Sequence, residues 1–309
     1  LPLGALVVAL LLPASASGHG RNAIVALDYR LTLDPNVREL PGVSVSILDG
    51  DRDFQVTIKP GVRLLVRGEL GEPFLRLGPG GIWANGSSPT ATADRVIPTG
   101  LKGWVRLSGG DSVVWHDHRL APPPSSTVGP DGSFAIPISV DGRPATIAGT
   151  FFRVARPALW PWLLAAVALG GGILSTARRR LLRGRLTIGC GLAGGLAALA
   201  GVTTFAMRDS PSGGVAWLQI ATGLGLAAIL AALLLKLKGR GRVHAAGVVG
   251  AVGAVVSLSS LSVFWHGVVI SALPATPARL ICGLALVCGV AGAGLSFLPE
   301  AGASLPGKR

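Results

Sequence analysis

The sequence predicts a two-part fold: an all-β Ig-like sandwich, exported, followed by an all-α polytopic membrane bundle of about five transmembrane helices. Three observations predict it. Half of the 309 residues are apolar and only 14% are charged, a balance too greasy for an ordinary soluble protein. Apolar residues alternate with polar ones up to about residue 156 and run almost unbroken after it. The cationic residues of the second half cluster in short stretches between the apolar runs.

The chain divides into a signal peptide at 1–18, an extracytoplasmic β-domain at 19–156, a transmembrane domain at 157–298 and a cytoplasmic tail at 299–309. The opening stretch "LPLGALVVALLLPASA" has the apolar core and small-residue end of a secretory signal. Its apolar core of about 12 residues is too short to span a bilayer. Cleavage after Ala16 and cleavage after Gly18 both fit the small residues there.

The β-domain is read from its period of two. In "VSVSILDGDRDFQVTIK", Val43, Val45 and Ile47 alternate with serines. A turn follows, and Phe54, Val56 and Ile58 then alternate with Gln55, Thr57 and Lys59, as in a hairpin with one buried face. Similar runs occur at Ile24–Leu33, Arg63–Glu69, Phe74–Leu77, Trp104–Leu107, Ser112–Arg119, Phe134–Val140 and Ala145–Val154. Seven to nine short strands at this spacing predict an antiparallel sandwich.

The second half predicts helices at about 158–176, 187–207, 216–236, 245–271 and 278–297, each long enough to cross a core of about 30 Å. Trp160 and Trp162 stand where an interfacial belt belongs. Twenty-five of the 45 glycines fall in this half and predict close helix packing. No Asp, Glu, Lys or Arg is expected well inside a helix, which argues against an ion-coupled pump or transporter.

The net charge of +13 is a matter of topology. Residues 17–157 carry fifteen Lys/Arg against thirteen Asp/Glu, so the β-domain is nearly neutral. Eleven positives instead fall at Arg178–Arg185, Lys236–Arg242 and Lys308–Arg309. They place those loops and the tail in the cytoplasm and the β-domain outside, in contact with the lipid bilayer. This excludes a nucleic-acid-binding surface. Cys190, Cys282 and Cys288 all lie in apolar runs and read as small apolar residues rather than redox or metal groups.

The chemistry concentrates in "VVWHDHRL". On a strand, His116 and His118 share a face with Val114 and Leu120, which brings two imidazoles within reach of one ion. Imidazole suits copper, zinc and nickel. Asp117 and Arg119 point the other way as an exposed pair worth little. His19 adds a ligand at either cleavage site: as a new N-terminus after Gly18, or as the third residue of Ser-Gly-His after Ala16. Asp117 and His266, the latter in "FWHGVVISALP", are further candidate ligands. The Asp49, Asp51 and Asp53 turn lacks the Gly and Glu of an EF-hand loop and reads as a hairpin turn. Nucleophile elbows, phosphate loops and His-Glu-x-x-His are absent from the sequence, so no enzyme is predicted.

The stretches "GEPFLRLGPGGIWANGSSPTA", "WVRLSGGDSVVWHDHRL" and "VVISALPATPARL" resemble a group of actinobacterial membrane proteins. That group pairs an exported Trp-His-Asp-His-Arg β-domain with a C-terminal helical bundle. A more distant likeness is to copper-resistance proteins of the CopC and CopD type. The likeness implies copper as the bound ion, His19, His116 and His118 as its ligands with Asp117 between the pair, and a membrane or secreted copper-handling partner. The local order here is His-Asp-His where those proteins have Asp-x-His. The function expected is copper uptake, delivery or tolerance. The alternative is an envelope interaction or scaffold module that docks into a larger membrane complex without metal.

Overall fold

A computed structural model describes residues 26–48, 53–122, 127–208 and 217–298. The signal segment, His19, Asp49, Asp51 and the tail lie outside these residues. The alternating segments form strands β1 (Ala26–Leu27), β2 (Tyr29–Leu33), β3 (Val43–Leu48), β4 (Asp53–Ile58), β5 (Leu64–Arg67) and β6 (Pro73–Gly78). They continue as β7 (Gly81–Asn85), β8 (Trp104–Ser108), β9 (Ser112–His116), β10 (Gly129–Val140) and β11 (Arg143–Arg153). Two short helices, α1 (Pro35–Arg38) and α2 (Pro89–Ala93), interrupt them.

Seven strands pair antiparallel in the order β2-β11-β10-β5-β6-β7-β8, and three in the order β3-β4-β9. The expected hairpin forms: Val43 faces Ile58 and Val45 faces Val56. Phe54, Val56 and Ile58 are buried while Gln55 and Thr57 are not. Both sheets turn their apolar faces into one core. It joins Phe54, Val56 and Trp115 of the smaller sheet to Leu64, Val66, Phe74, Ile82, Ile136 and Ile147 of the larger. Each such side chain gains roughly 1.5–3 kcal/mol by leaving water.

Three expectations change in detail. The run Ile24–Leu33 breaks at Asp28, because β2 pairs with β11 whereas β1 pairs elsewhere. Strand β7 escapes the alternation test, since "GIWAN" carries only Ile82 and Ala84 as inward apolar side chains. The strand expected at Ser112–Arg119 ends at His116.

The helical half comprises α3 (Trp160–Ala177), α4 (Arg183–Arg208), α5 (Trp217–Lys236), α6 (Gly239–Leu258) and α7 (Ala275–Ser296). Among the described residues four helical segments are long and apolar enough to cross a membrane: Trp160–Ala177, Arg180–Met207, Gly239–Leu258 and Ala275–Ser296. The apolar stretch Ile220–Lys236 of α5 is shorter. The three cysteines are buried and free, as expected of small apolar residues.

Helices α4, α6 and α7 pack closely enough to need glycine. A Cβ on Gly289 would lie 2.5 Å from the Gly250 carbonyl oxygen, and one on Gly194 would lie 2.6 Å from the Gly289 nitrogen. Small residues at such crossings let backbones touch, which supplies the packing that hydrophobicity cannot supply in lipid.

The helix expected at 245–271 stops at Leu258 instead. Serines crowd this point, and Ser259 Oγ turns back to donate to the Val256 carbonyl at 2.7 Å. A 3₁₀ turn at Leu261–Phe264 and a strand, β12 (Val268–Val269), follow. Non-helical backbone is tolerated there because Arg279 serves its carbonyls: Nε donates to Val263 at 2.7 Å, and Nη2 donates to His266 at 2.9 Å and Gly267 at 3.3 Å. Arg279 is 7% exposed and lies in the second turn of α7, so the expectation of charge-free helices is corrected.

Strand β12 pairs with β1, matching Ala26 to Val269 and Leu27 to Val268. Beside that ladder, Asp28 accepts from Arg156 Nε and Nη2 at 2.9 and 2.7 Å and from the Gly267 N–H at 3.3 Å. The His266 Nδ1 stands 3.0 Å from Oδ1, the oxygen that also accepts from the Gly267 N–H, without hydrogen-bond geometry. Burial alone would raise the Asp28 carboxyl, but these partners hold it below the usual carboxylate range. The sheets and the helices are thus joined at two places, through the chain at Arg156–Trp160 and through this seam.

The glycine contacts yield a direct test. Gly289→Val, which forces a branched side chain against the Gly250 carbonyl, should cost about 1–3 kcal/mol. Gly294→Ala, with nothing within 4 Å of the added carbon, should be close to neutral. Thermal unfolding of the full chain in detergent micelles, followed by size-exclusion chromatography, checks both.

Candidate metal centre

The site is built where β9 ends. Trp115 is buried against Phe54 and Phe74, and its indole N–H donates to Asp117 Oδ2 at 3.0 Å. Asp117 is 1% exposed and also accepts from Arg119, through the backbone N–H at 3.0 Å, Nε at 2.8 Å and Nη2 at 2.7 Å. Arg119 Nη1 donates onward to the Arg67 carbonyl at 3.2 Å. The pair expected to be exposed is therefore a buried, two-pronged ion pair, and Asp117 is turned away from any ligand. It caps a 3₁₀ turn over His118–Leu120 that drives Leu120 into the core.

This arrangement sends His116 and His118 to the outside together. Their ring centroids are 5.2 Å apart and the planes are inclined at 72°. They do not share a strand face as expected, because His118 already belongs to the turn. Each ring is oriented by a different carboxylate. His116 Nδ1 lies 3.1 Å from Oδ1 of Asp53, its cross-strand partner on β4. His118 Nδ1 hydrogen-bonds Oδ1 of Asp94. A carboxylate on one imidazole nitrogen fixes the ring and raises the basicity of the other, the arrangement that surrounds metal-bound histidines.

Asp94 caps the C-terminus of α2. The helix starts at Ser88, whose Oγ accepts from the Ala91 N–H at 3.3 Å and donates to Glu72 Oε1 at 2.5 Å. Thr90 Oγ1 accepts from the Glu69 N–H at 2.8 Å, which pins the β5–β6 turn beside the helix. The helix ends as Arg95 takes φ +55°, a left-handed turn of the kind that closes helices. These contacts bring Glu69, Asp94 and His118 together, with one ligand atom of each within 4.8 Å of the others. Glu69 and His118 are exposed and Asp94 is buried.

The electrostatics single out Asp94. Its Oδ1 is bound to His118, while its Oδ2 is buried and has no hydrogen-bond partner. Burial pushes the carboxyl up to about 6, the Asp117 charge adds to that, and the His118 hydrogen bond works against it. A buried oxygen without a donor is costly unless a proton or a cation satisfies it.

Among the expected ligands, His116 and His118 are thus brought together, Asp117 is committed to the interior, and His266 is held at Asp28. His19 lies outside the described residues. Glu69 and Asp94 were not expected. The only trace of Asp94 in the sequence is "SPTATAD", an N-cap serine, a proline at the first helical position and an acidic end. The chain matches no known family model, no curated protein and no solved structure.

In the metal-free chain, the folded state keeps the Asp94 proton from its ordinary value of 3.8 up to about 6, where the unfolded state has lost it. Stability from this group is therefore full below pH 3.8 and falls as pH rises through 6, by on the order of 2–3 kcal/mol. Asp94→Asn should flatten that slope. Thermal melts in chelator between pH 4 and pH 7.5 measure it.

Proposed function

We propose that the chain is a multi-pass membrane protein whose exported, Ig-like β-domain binds a divalent transition-metal ion, copper foremost, for uptake, delivery or tolerance. The observation that carries this reading is the buried Asp94 Oδ2 without a partner, set beside Glu69 and His118. A cation held among Asp94, Glu69 and His118 would satisfy that oxygen. Two carboxylates and an imidazole suit borderline divalent ions, and among these copper(II) stands highest in the affinity order. His116, already oriented by Asp53, is the neighbouring imidazole.

Three protein ligands, two of them open to solvent, leave coordination positions vacant. An ion held this way can be handed on, which fits delivery to a membrane or secreted partner better than a closed structural site. The loop charges support the orientation: Arg178–Arg185 and Lys236–Arg242 inside, the sheets outside, with α5 as the fifth crossing.

Copper(II) and zinc(II) titrations of the full chain in detergent micelles test the reading, with calorimetry as the readout. One ion per chain is expected, bound more tightly for copper. Asp94→Asn and His118→Ala should each weaken binding at least tenfold, a scale set by loss of one ligand or its carboxylate support. His266→Ala should leave it unchanged. Equal affinity in wild type and Asp94→Asn overturns the proposal.

A further inference from the structure

Away from the metal centre, strands β6, β7 and β8 present an outer face that the proposed function leaves unused. Register places Arg76 opposite Trp83 and Trp83 opposite Arg106, so these three side chains stand in one row across three strands. Trp104 lies on the same face, two residues before Arg106. The Arg76 guanidinium carbon is 4.9 Å from the Trp83 ring centroid and 4.7 Å from that of Trp104, and the Arg106 carbon is 6.0 Å from that of Trp83. Such stacking holds a guanidinium flat while leaving its N–H edges available.

Those edges are unused within the protein. Among the described residues, neither Arg76 nor Arg106 donates a hydrogen bond or joins an ion pair, and both are exposed. No Asp or Glu occurs anywhere in β5, β6, β7 or β8. This face of β6–β8 carries Arg76, Gly78, Trp83, Asn85, Trp104 and Arg106, and Leu107, the extra residue where β8 bulges against β7, is 36% exposed beside them. The arginines are two strand spacings apart, or about 10 Å.

We infer that this face binds an acidic polysaccharide. Each fixed guanidinium fork matches a carboxylate with two parallel hydrogen bonds. The half-exposed indoles beneath them leave ring edges open to the C–H groups of sugar rings. Two forks, each within 6.0 Å of the Trp83 ring centroid, suit carboxylates that recur along one chain. A lipid surface is the poorer occupant, because the indole faces are taken up by guanidinium groups and Leu107, short and at the β8 bulge, is the aliphatic side chain left beside them. A surface with two cations in a nearly neutral domain is also a poor match for nucleic acid.

The test uses the full chain in phosphatidylcholine nanodiscs, immobilised, in chelator so that the metal centre plays no part. The probes are polygalacturonate, neutral dextran and phosphatidylglycerol vesicles, read by biolayer interferometry. Polygalacturonate should bind, and more weakly as salt rises. The Arg76→Gln/Arg106→Gln double variant should lose at least tenfold in affinity. Arg76→Lys/Arg106→Lys, which keeps the charge and loses the fork, should fall between. Arg143→Gln, an exposed change on β11, should bind as wild type does and reports on the fold of the immobilised protein. Binding of polygalacturonate by the double glutamine variant at wild-type strength overturns the inference. So does equal binding of dextran, and so does capture of the vesicles without capture of polygalacturonate.

Discussion

A carboxylate that no ligand can reach sets the geometry of the candidate metal centre. Asp117 is enclosed by the Trp115 indole and the Arg119 fork, and Trp115 is itself wedged against aromatic rings from both sheets. Losing one member of such a buried pair leaves an uncompensated charge, which typically costs 3–5 kcal/mol. The chain therefore has one way to leave β9. Because Trp115 and Asp117 must point in, His116 and His118 must point out, and the turn that follows aims the second ring at α2. The motif "WHDHR" is thus a structural anchor and a pair of outward imidazoles interleaved residue by residue.

The second partner of the centre comes from a helix of only five residues, Pro89–Ala93. So short a helix has no stability of its own. It is held by Glu72 at its start and by the Thr90 hydroxyl against the β5–β6 turn. The contacts that form the helix are the same ones that deliver Asp94 and Glu69. This arrangement places a buried carboxylate oxygen without a hydrogen-bond partner next to two exposed side chains, Glu69 and His118.

Much of the sheet architecture was legible because alternation is a local signal. The β3–β4 register follows from Val43, Val45, Phe54, Val56 and Ile58 alone. The glycine-rich crossings were legible as composition, though not which glycines touch. What escaped was set by distant partners. Asp53 looked like part of a turn until β9 aligned it with His116. Asp94 and Glu69 lie far from His118 in sequence, and neither sits in a motif. The run from 245 to 271 is apolar throughout most of its length, so hydropathy continues the helix. The serines after Leu258 and the pairing of β12 with β1 end it. The acceptors of Arg279 are backbone carbonyls, which leave no signature in side-chain chemistry.

The β1–β12 ladder also bears on how the molecule can be divided. A cut after Arg156 breaks a single peptide connection between the sheets and the helices. It also strips Ala26 and Leu27 of their hydrogen-bonding mate and takes His266 and the Gly267 amide away from Asp28. The sheet half is a graft held at both ends rather than a detachable cassette, and a truncated fragment carries a raw edge that the intact chain never exposes.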